Sequence, residues 1–150
     1  PVNDTERKLI VSKTNAVIIE VKDADLGMGQ SIAKGLIETT KKLNFQSIAI
    51  CPSDLPGLSA GALRKLTDFF LKSPEMICRP AKLGKSKLGH PVIFPKKYFE
   101  ELKMIKGDIG ARDIVSRNEE ALNRFETLDD SYFIDLDTPE DFNNWTKKTS

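Results

Sequence analysis

The chain has 150 residues, 39% hydrophobic and 30% charged, with a net charge of +1. That length fits one domain, residues 1–150, with enough apolar material for one core. The near-neutral balance gives no electrostatic reason for nucleic acid as a partner, and no apolar run approaches the ~20 residues that cross a membrane.

The opening PVNDTERK lacks the basic tip and apolar run of a signal peptide. Residues 4–14 read as a short helix. Residues 16–21 (AVIIEV) form a near-continuous apolar run of strand length, as expected for a strand covered on both faces. The loop KDADLGMG leads into a helix at about 30–43, with Ile32, Leu36, Ile37 and Leu43 on one face. Residues 45–51 (FQSIAIC) form the second strand, followed by the turn-rich PSDLPG. Ser59 caps a helix that buries Leu63, Leu66, Phe69 and Phe70. Residues 76–79 are a short strand, KLGKSKLGH a loop and PVIF another strand. Pro95 suits the first turn of a helix ending near Ile105. GDIGARDIVSRN begins as a loop and becomes a helix; short strands near 125–128 and 132–136 follow. The last helix opens with Thr138-Pro139-Glu140-Asp141, a cap, a first-turn proline and two acids. Apolar runs alternating with helical patterns predict an α/β fold with crossover helices. The two cysteines, Cys51 and Cys78, lie in strand-like runs and read as free thiols in a reducing cytoplasm.

Three sets of residues carry chemistry. Asp54 lies just past an apolar strand, where open α/β sheets bind ligands. Its carboxylate suits Mg²⁺, which takes a few carboxylates plus substrate phosphates; a turn-forming Asp bonded to its own backbone is the plain alternative. Asp135 and Asp137 stand two apart in YFIDLD, so a strand there points both to one face, where a cation or proton must separate them. Asp137 also suits the amino terminus of the last helix. The third set is the polar loops. Gly27 to Ser31 (GMGQS) open a helix whose N–H groups suit an anion, or simply make a tight turn. Gly89 and His90, the only histidine, end a Gly/Lys-rich loop. Arg112 starts a helix after Gly107-Asp108-Ile109-Gly110 and suits either a phosphate or an ion pair with Asp108. With one histidine, metal-assisted positioning fits better than histidine acid–base work.

Together GMGQS (27–31), SDLP (53–56), GHPVIF (89–94), GDIGAR (107–112) and DLDTPEDF (135–142) resemble, in order and spacing, the motifs of molybdenum cofactor cytidylyltransferases, with molybdopterin guanylyltransferases as relatives. The resemblance covers nearly the whole chain. It implies a Rossmann-like three-layer nucleotidyltransferase fold with a mostly parallel sheet. It implies Mg²⁺, a nucleoside triphosphate (CTP or GTP), molybdopterin or a related small-molecule acceptor, and a molybdoenzyme as a protein partner. A phosphate oxygen of the pterin then attacks the α-phosphorus of CTP and pyrophosphate leaves. By resemblance Asp54 is the metal-binding Asp of D-x-P, and Asp135 and Asp137 lie near metal or substrates. Gly27, Ser31, Pro56, Gly89, His90, Pro91, Asp108, Gly110 and Arg112 then fall on substrate-binding loops.

One departure is large. The family opens with a strand and a glycine-rich loop, approximately L-A-A-G-x-S-x-R-M-G-x-x-K, and nothing like it occurs here. The expectation is that this chain is the carboxy-terminal part, roughly three-quarters, of the family domain, and that roughly 50–70 upstream residues, a βαβ unit with its loop, complete the sheet. A binding or regulatory module that has lost catalysis is the competing reading. An unrelated doubly wound domain with Asp54 as phosphoacceptor leaves Asp135 and Asp137 unexplained.

Overall fold

The computed structural model describes residues 4–107, 110–136 and 138–149. Its contacts divide the chain into two compact units, residues 1–46 with 96–119, and residues 47–95 with 120–150.

The first unit is helical. Helix α1 (Thr5–Val11) is capped by Asp4, whose side chain accepts from the Arg7 N–H. Helix α2 (Met28–Thr40) buries Gly29, Ala33 and Leu36, one stripe at helical spacing. It packs on α4 (Phe99–Met104), which buries Phe99 and Leu102. Helix α5 (Arg112–Arg117) adds Ile114 and Val115. The expected strand at 16–21 does not form: the segment is irregular, with Val17 73% and Ile18 42% exposed. Its apolar, β-branched composition favours a strand, but a strand exists only through its ladder, and no strand pairs with it among the described residues. Leu43, expected on the buried face of the helix, lies beyond its end and is 64% exposed.

The second unit holds a four-stranded sheet in the order β1 (Ser47–Ile50), β3 (Val92–Pro95), β2 (Ile77–Lys82), β4 (Leu122–Thr127). Strands β1, β2 and β4 run in one direction. Strand β3 is antiparallel to both its neighbours, and β2 pairs with β4 in parallel from Ile77↔Leu122 to Lys82↔Thr127. Ser59 caps helix α3 (Ala60–Phe70), its side chain accepting from the Ala62 N–H. The helix lays Ala62, Leu66 and Phe70 against Cys78, Ile93, Tyr132 and Phe133 in one core cluster, while Leu63 faces solvent.

Three further expectations shift. Pro95 ends β3 instead of opening a helix; the next N–H, that of Lys96, donates to the Gln46 carbonyl, and a 3₁₀ turn precedes α4. Strand β4 begins at Leu122, several residues early, because its parallel register with β2 starts there. No strand forms over 132–136. Asp129 caps a 3₁₀ turn at Asp130–Tyr132, and the consecutive Tyr132 and Phe133 both enter the same core cluster, where a strand would send them to opposite faces. The Tyr132 hydroxyl donates to the Ala62 carbonyl at 2.6 Å and pins this turn to α3. Helix α6 (Pro139–Thr149) opens as expected: the Thr138 hydroxyl accepts from the Asp141 N–H, while Asp141 accepts from the Thr138 N–H.

Gly89 is buried where a Cβ would collide with the Tyr132 carbonyl and stand 2.8 Å from the Phe133 ring. Gly89→Ala should therefore cost about 1–3 kcal/mol or more of stability, as overpacking does. Gly35 lies inside α2 with nothing within 4 Å of its Cβ position. Gly35→Ala should stabilise by about 0.5–1 kcal/mol through helix propensity. Urea denaturation of both variants reads the two opposite signs. The thiols differ in the same measurable way. Cys78 is buried in the core and its pKa is pushed up to about 12 by burial. Cys51 is exposed, with its pKa raised by partial burial and then by Asp54. Iodoacetamide at mildly alkaline pH should label Cys51 slowly in the native protein and Cys78 only after denaturation, as read by mass spectrometry of the peptides.

Candidate functional site

The site grows from the loop that follows β1. A Leu58 N–H to Leu55 carbonyl bond of 3.2 Å closes a turn around Pro56, which is itself exposed. Asp54, just before it, is half-buried. Its backbone carbonyl accepts the Leu136 N–H at 3.1 Å, so the β1 loop and the segment after Phe133 lie side by side and Asp135 is next to the bond. The Asp54 Oδ1 is buried and has no hydrogen-bond partner. An ionised oxygen in that position is expensive to leave unmatched.

The second wall is the segment Gly89–Pro91, which precedes β3 and holds a cis peptide bond between His90 and Pro91. Its backbone is tied on both sides. The Gly89 N–H donates to the Pro80 carbonyl at 2.8 Å, and the His90 N–H to the Tyr132 carbonyl at 2.9 Å. Arg79, on β2, donates from Nε to the Gly89 carbonyl at 2.8 Å. Lys87 reaches the Phe133 carbonyl at 2.9 Å. Pro91 is fully buried. His90 is thus held half-buried, with its Nδ1 also lacking a hydrogen-bond partner.

The imidazole reports on what surrounds it. Burial, and then the Arg79 guanidinium, hold its pKa below the ordinary histidine range; the Asp54 and Asp135 carboxylates push it back up. His90 is therefore neutral at pH 7, and both carboxylates act on it. Asp54, Asp135 and His90 come together at this one place. Arg79 joins them, a residue not among the expected site residues; an arginine flanked by Cys78 and Pro80 within the strand ICRPAK was the available signal. Ser131 adds a buried Oγ without a partner.

Asp54 and Asp135 fit a divalent cation of the hard, oxygen-seeking kind. Asp54 offers a buried, unmatched carboxylate oxygen and Asp135 an exposed carboxylate beside it. Among the described residues no three His, Cys, Asp or Glu side chains form a complete metal cage. Asp137, grouped with these two, lies outside the described residues.

The remaining expected residues belong to the helical unit. Gly27 is the amino-terminal cap of α2, with φ 111°. The Gly29 N–H is spent on the Gly107 carbonyl at 2.8 Å, and a Cβ at Gly29 would stand 2.8 Å from the same oxygen. GMGQS is therefore a close backbone crossing, and the Gly29 amide does not serve an anion. Ser31 is exposed on the first turn of α2. Gly110 is buried with φ 58°, in the left-handed region glycine favours. Arg112 is exposed at the start of α5 and makes no ion pair among the described residues. Asp108, the acid proposed to pair with it, lies outside them. No described helix is long and apolar enough to cross a membrane.

Comparison with known proteins gives the family and the fold. Residues 2–122 match the family model of the MobA-like NTP transferase domain. The purine catabolism protein PucB of Bacillus subtilis (strain 168) is 29% identical over 122 residues, 81% of this chain. The chain spans only 57% of that relative's length. Among solved structures, Rv0371c of Mycobacterium tuberculosis H37Rv in complex with manganese superposes with a TM-score of 0.68 at 17% identity, over 95% of this chain and 74% of that one. A second structure of Rv0371c gives 0.67 at 21% identity, over 97% of this chain and 71% of that one. A homologue from Mycobacterium sp. strain JC1 gives 0.67 at 15% identity, with the same coverage. At these identities the structural likeness speaks for the fold, a Rossmann-like α/β nucleotidyltransferase fold. The match over residues 2–122 speaks for the lineage: the chain belongs to the MobA-like NTP transferase domain family.

Proposed function

We propose that the complete protein carrying this chain is a Mg²⁺-dependent nucleotidyltransferase that transfers CMP from CTP to molybdopterin and releases pyrophosphate. Membership of the family supports the reaction class. The observation that carries the residue assignment is the buried, unpartnered Oδ1 of Asp54 beside Asp135 and the neutral His90. In this reading Asp54 and Asp135 hold the metal, with Asp137 of the same DLDTPED motif as a further ligand. The metal, when bound, neutralises the triphosphate and makes its α-phosphorus a better electrophile.

The chain's own residues then position the acceptor. Gly89, His90 and Pro91 form its wall, locked to β2 and to Tyr132 by three backbone-directed hydrogen bonds. A neutral His90 offers a hydrogen bond to a phosphate or pterin group without adding charge. Burial, aided by Arg79, keeps the ring neutral, and Arg79 fixes the Gly89 carbonyl. Pro56 shapes the rim of the Asp54 loop. Gly27, Ser31, Asp108, Gly110 and Arg112 are assigned to substrate loops, with the Arg112 guanidinium as the group that forks onto a phosphate. Since phosphoryl transfer asks little covalent chemistry of the protein, positioning and charge neutralisation supply most of the rate.

A second reading keeps the reaction class and changes the substrates. The relative PucB is named for purine catabolism, which favours testing GTP and acceptors other than molybdopterin. A molybdoenzyme that receives the product belongs to the first reading only.

Two experiments on the full-length protein test these assignments. Asp54→Asn should lower pyrophosphate release by about 3 kcal/mol of transition-state stabilisation, roughly 100-fold or more. Its urea midpoint should be unchanged, and its Mg²⁺ affinity, read by calorimetry with CTP present, should fall. Turnover near that of the unsubstituted protein would remove Asp54 from the metal site. Nucleotide choice is read from kcat/KM with molybdopterin as acceptor, CTP exceeding GTP by about tenfold or more, a difference of about 1.4 kcal/mol in transition-state binding. Equal values, or a preference for GTP, would transfer the assignment to the second reading.

A further inference from the structure

The helical unit contains an open cleft of about 710 Å³ lined by residues 40–45, where α2 ends, and by Lys96, Lys97, Phe99, Glu100 and Lys103. None of these residues belongs to the candidate site. Five are lysines (Lys41, Lys42, Lys96, Lys97, Lys103) and one is an acid, Glu100. Two other clefts of the same unit are balanced. Asp4 and Glu20 face Arg7 and Lys8 in one, and Glu101 and Asp113 face Lys106 and Arg117 in the other. In a chain of net charge +1, a lining with five cations and one anion is a local excess.

The local pairings absorb only part of it. Lys103 pairs with Glu100 at 2.8 Å, and Lys41 with Glu38 at 3.0 Å; Glu38 is shared with Lys34. Lys96 donates to the neutral amide oxygen of Asn44 at 3.1 Å, and Lys97 sits 5.1 Å from the centre of the Tyr98 ring. Neither contact cancels a charge. Lys42 is exposed and has no acidic partner among the described residues. Lysines 41 and 42 also favour the carboxyl end of α2 through its dipole. That accounts for two of the five, Glu100 answers Lys103, and Lys96 and Lys97, from another part of the chain, are left without an acid among the described residues.

The cleft also has an apolar part. The rings of Phe45 and Phe99 meet at 5.3 Å, and Leu43 is 64% exposed beside them. Its volume falls in the range of small-molecule sites, of about 300–1,000 Å³. Lysine ammonium groups bind phosphates as mobile point charges.

We propose that this cleft is a second binding site, distinct from the candidate active site, for a small molecule carrying two or more phosphoryl groups on an apolar body. The lysines take the phosphates, and Leu43 with Phe45 takes the body. The cleft supplies a place where a phosphorylated metabolite can act on the helical unit.

The test uses inorganic tripolyphosphate, without Mg²⁺, on the full chain. Calorimetry gives the affinity, and ¹H–¹⁵N correlation spectra give the location. The expected result is binding with shifts confined to residues 40–45 and 96–103. The affinity should fall by about tenfold or more in the double variant Lys42→Glu/Lys97→Glu, a loss of about 1.4 kcal/mol. It should hold in Lys65→Glu/Lys72→Glu, which makes the same charge change on exposed lysines elsewhere. Shifts centred on Asp54 and His90, equal loss in both double variants, or orthophosphate binding as tightly as tripolyphosphate would each overturn the proposal. None of these readouts depends on turnover, and shifts at Asp54 and His90 would overturn this proposal alone, so failure here leaves the transferase reading untouched.

Discussion

The candidate site rests on how closely two stretches of backbone pass at Gly89. The position has no room for a Cβ: the Tyr132 carbonyl and the Phe133 ring occupy that space. The approach lets the His90 N–H reach the Tyr132 carbonyl and the Gly89 N–H reach Pro80. It also fixes where the chain goes after Phe133. From there it passes the β1 loop, where Leu136 bonds to Asp54 and Asp135 arrives beside it. The apolar side of the contact is equally specific. Tyr132 and Phe133 stand in the core cluster with α3, and the Tyr132 hydroxyl satisfies itself on Ala62. Burial of two large aromatic rings, worth a few kcal/mol in area alone, therefore supports the geometry of a polar site.

The electrostatics of that site follow from partial burial without full pairing. A buried carboxylate oxygen with no donor is a cost the fold carries for some reason other than its own stability. In this case the neighbours make the reason legible. Asp135 brings a second carboxylate, and His90 stays neutral under the combined pull of burial and Arg79. A divalent cation would match the two acids, and the neutral ring would not compete with it for them. Arg79 meanwhile spends one N–H on the Gly89 carbonyl, so one residue both holds the loop and adds to the effect of burial on the histidine it carries.

Strand direction organises the sheet unit. Strand β3 runs against β1 on one side and β2 on the other, and β2 runs with β4. Because β3 is reversed, the Gly89–Pro91 segment at its beginning lies at the same sheet edge as the loop leaving β1. The Gly89–Pro91 wall and the Asp54 loop are brought together by that reversal.

The sequence alone was enough for much of this. Helix α2, the Ser59 cap, the buried stripe Leu66 and Phe70, and the Thr138 capping box all follow from local spacing and hydrogen-bonding chemistry. Asp54 after an apolar strand and the ordered motifs from GMGQS to DLDTPEDF pointed to the family that residues 2–122 match. Tertiary structure decided the rest, because each remaining feature depends on a partner distant in sequence. Residues 16–21 have strand composition, yet a strand needs a neighbour to bond to. YFID has strand-like residues, yet two successive aromatics enter one core and bend the chain into a turn. The Gly29 amide looked available for an anion until Gly107 took it. Arg79 looked like an ordinary strand residue until the fold set it against Gly89 and within the field of His90. Local pattern determines which elements can form; which of their polar groups are left free for a ligand is settled only when distant segments are packed together.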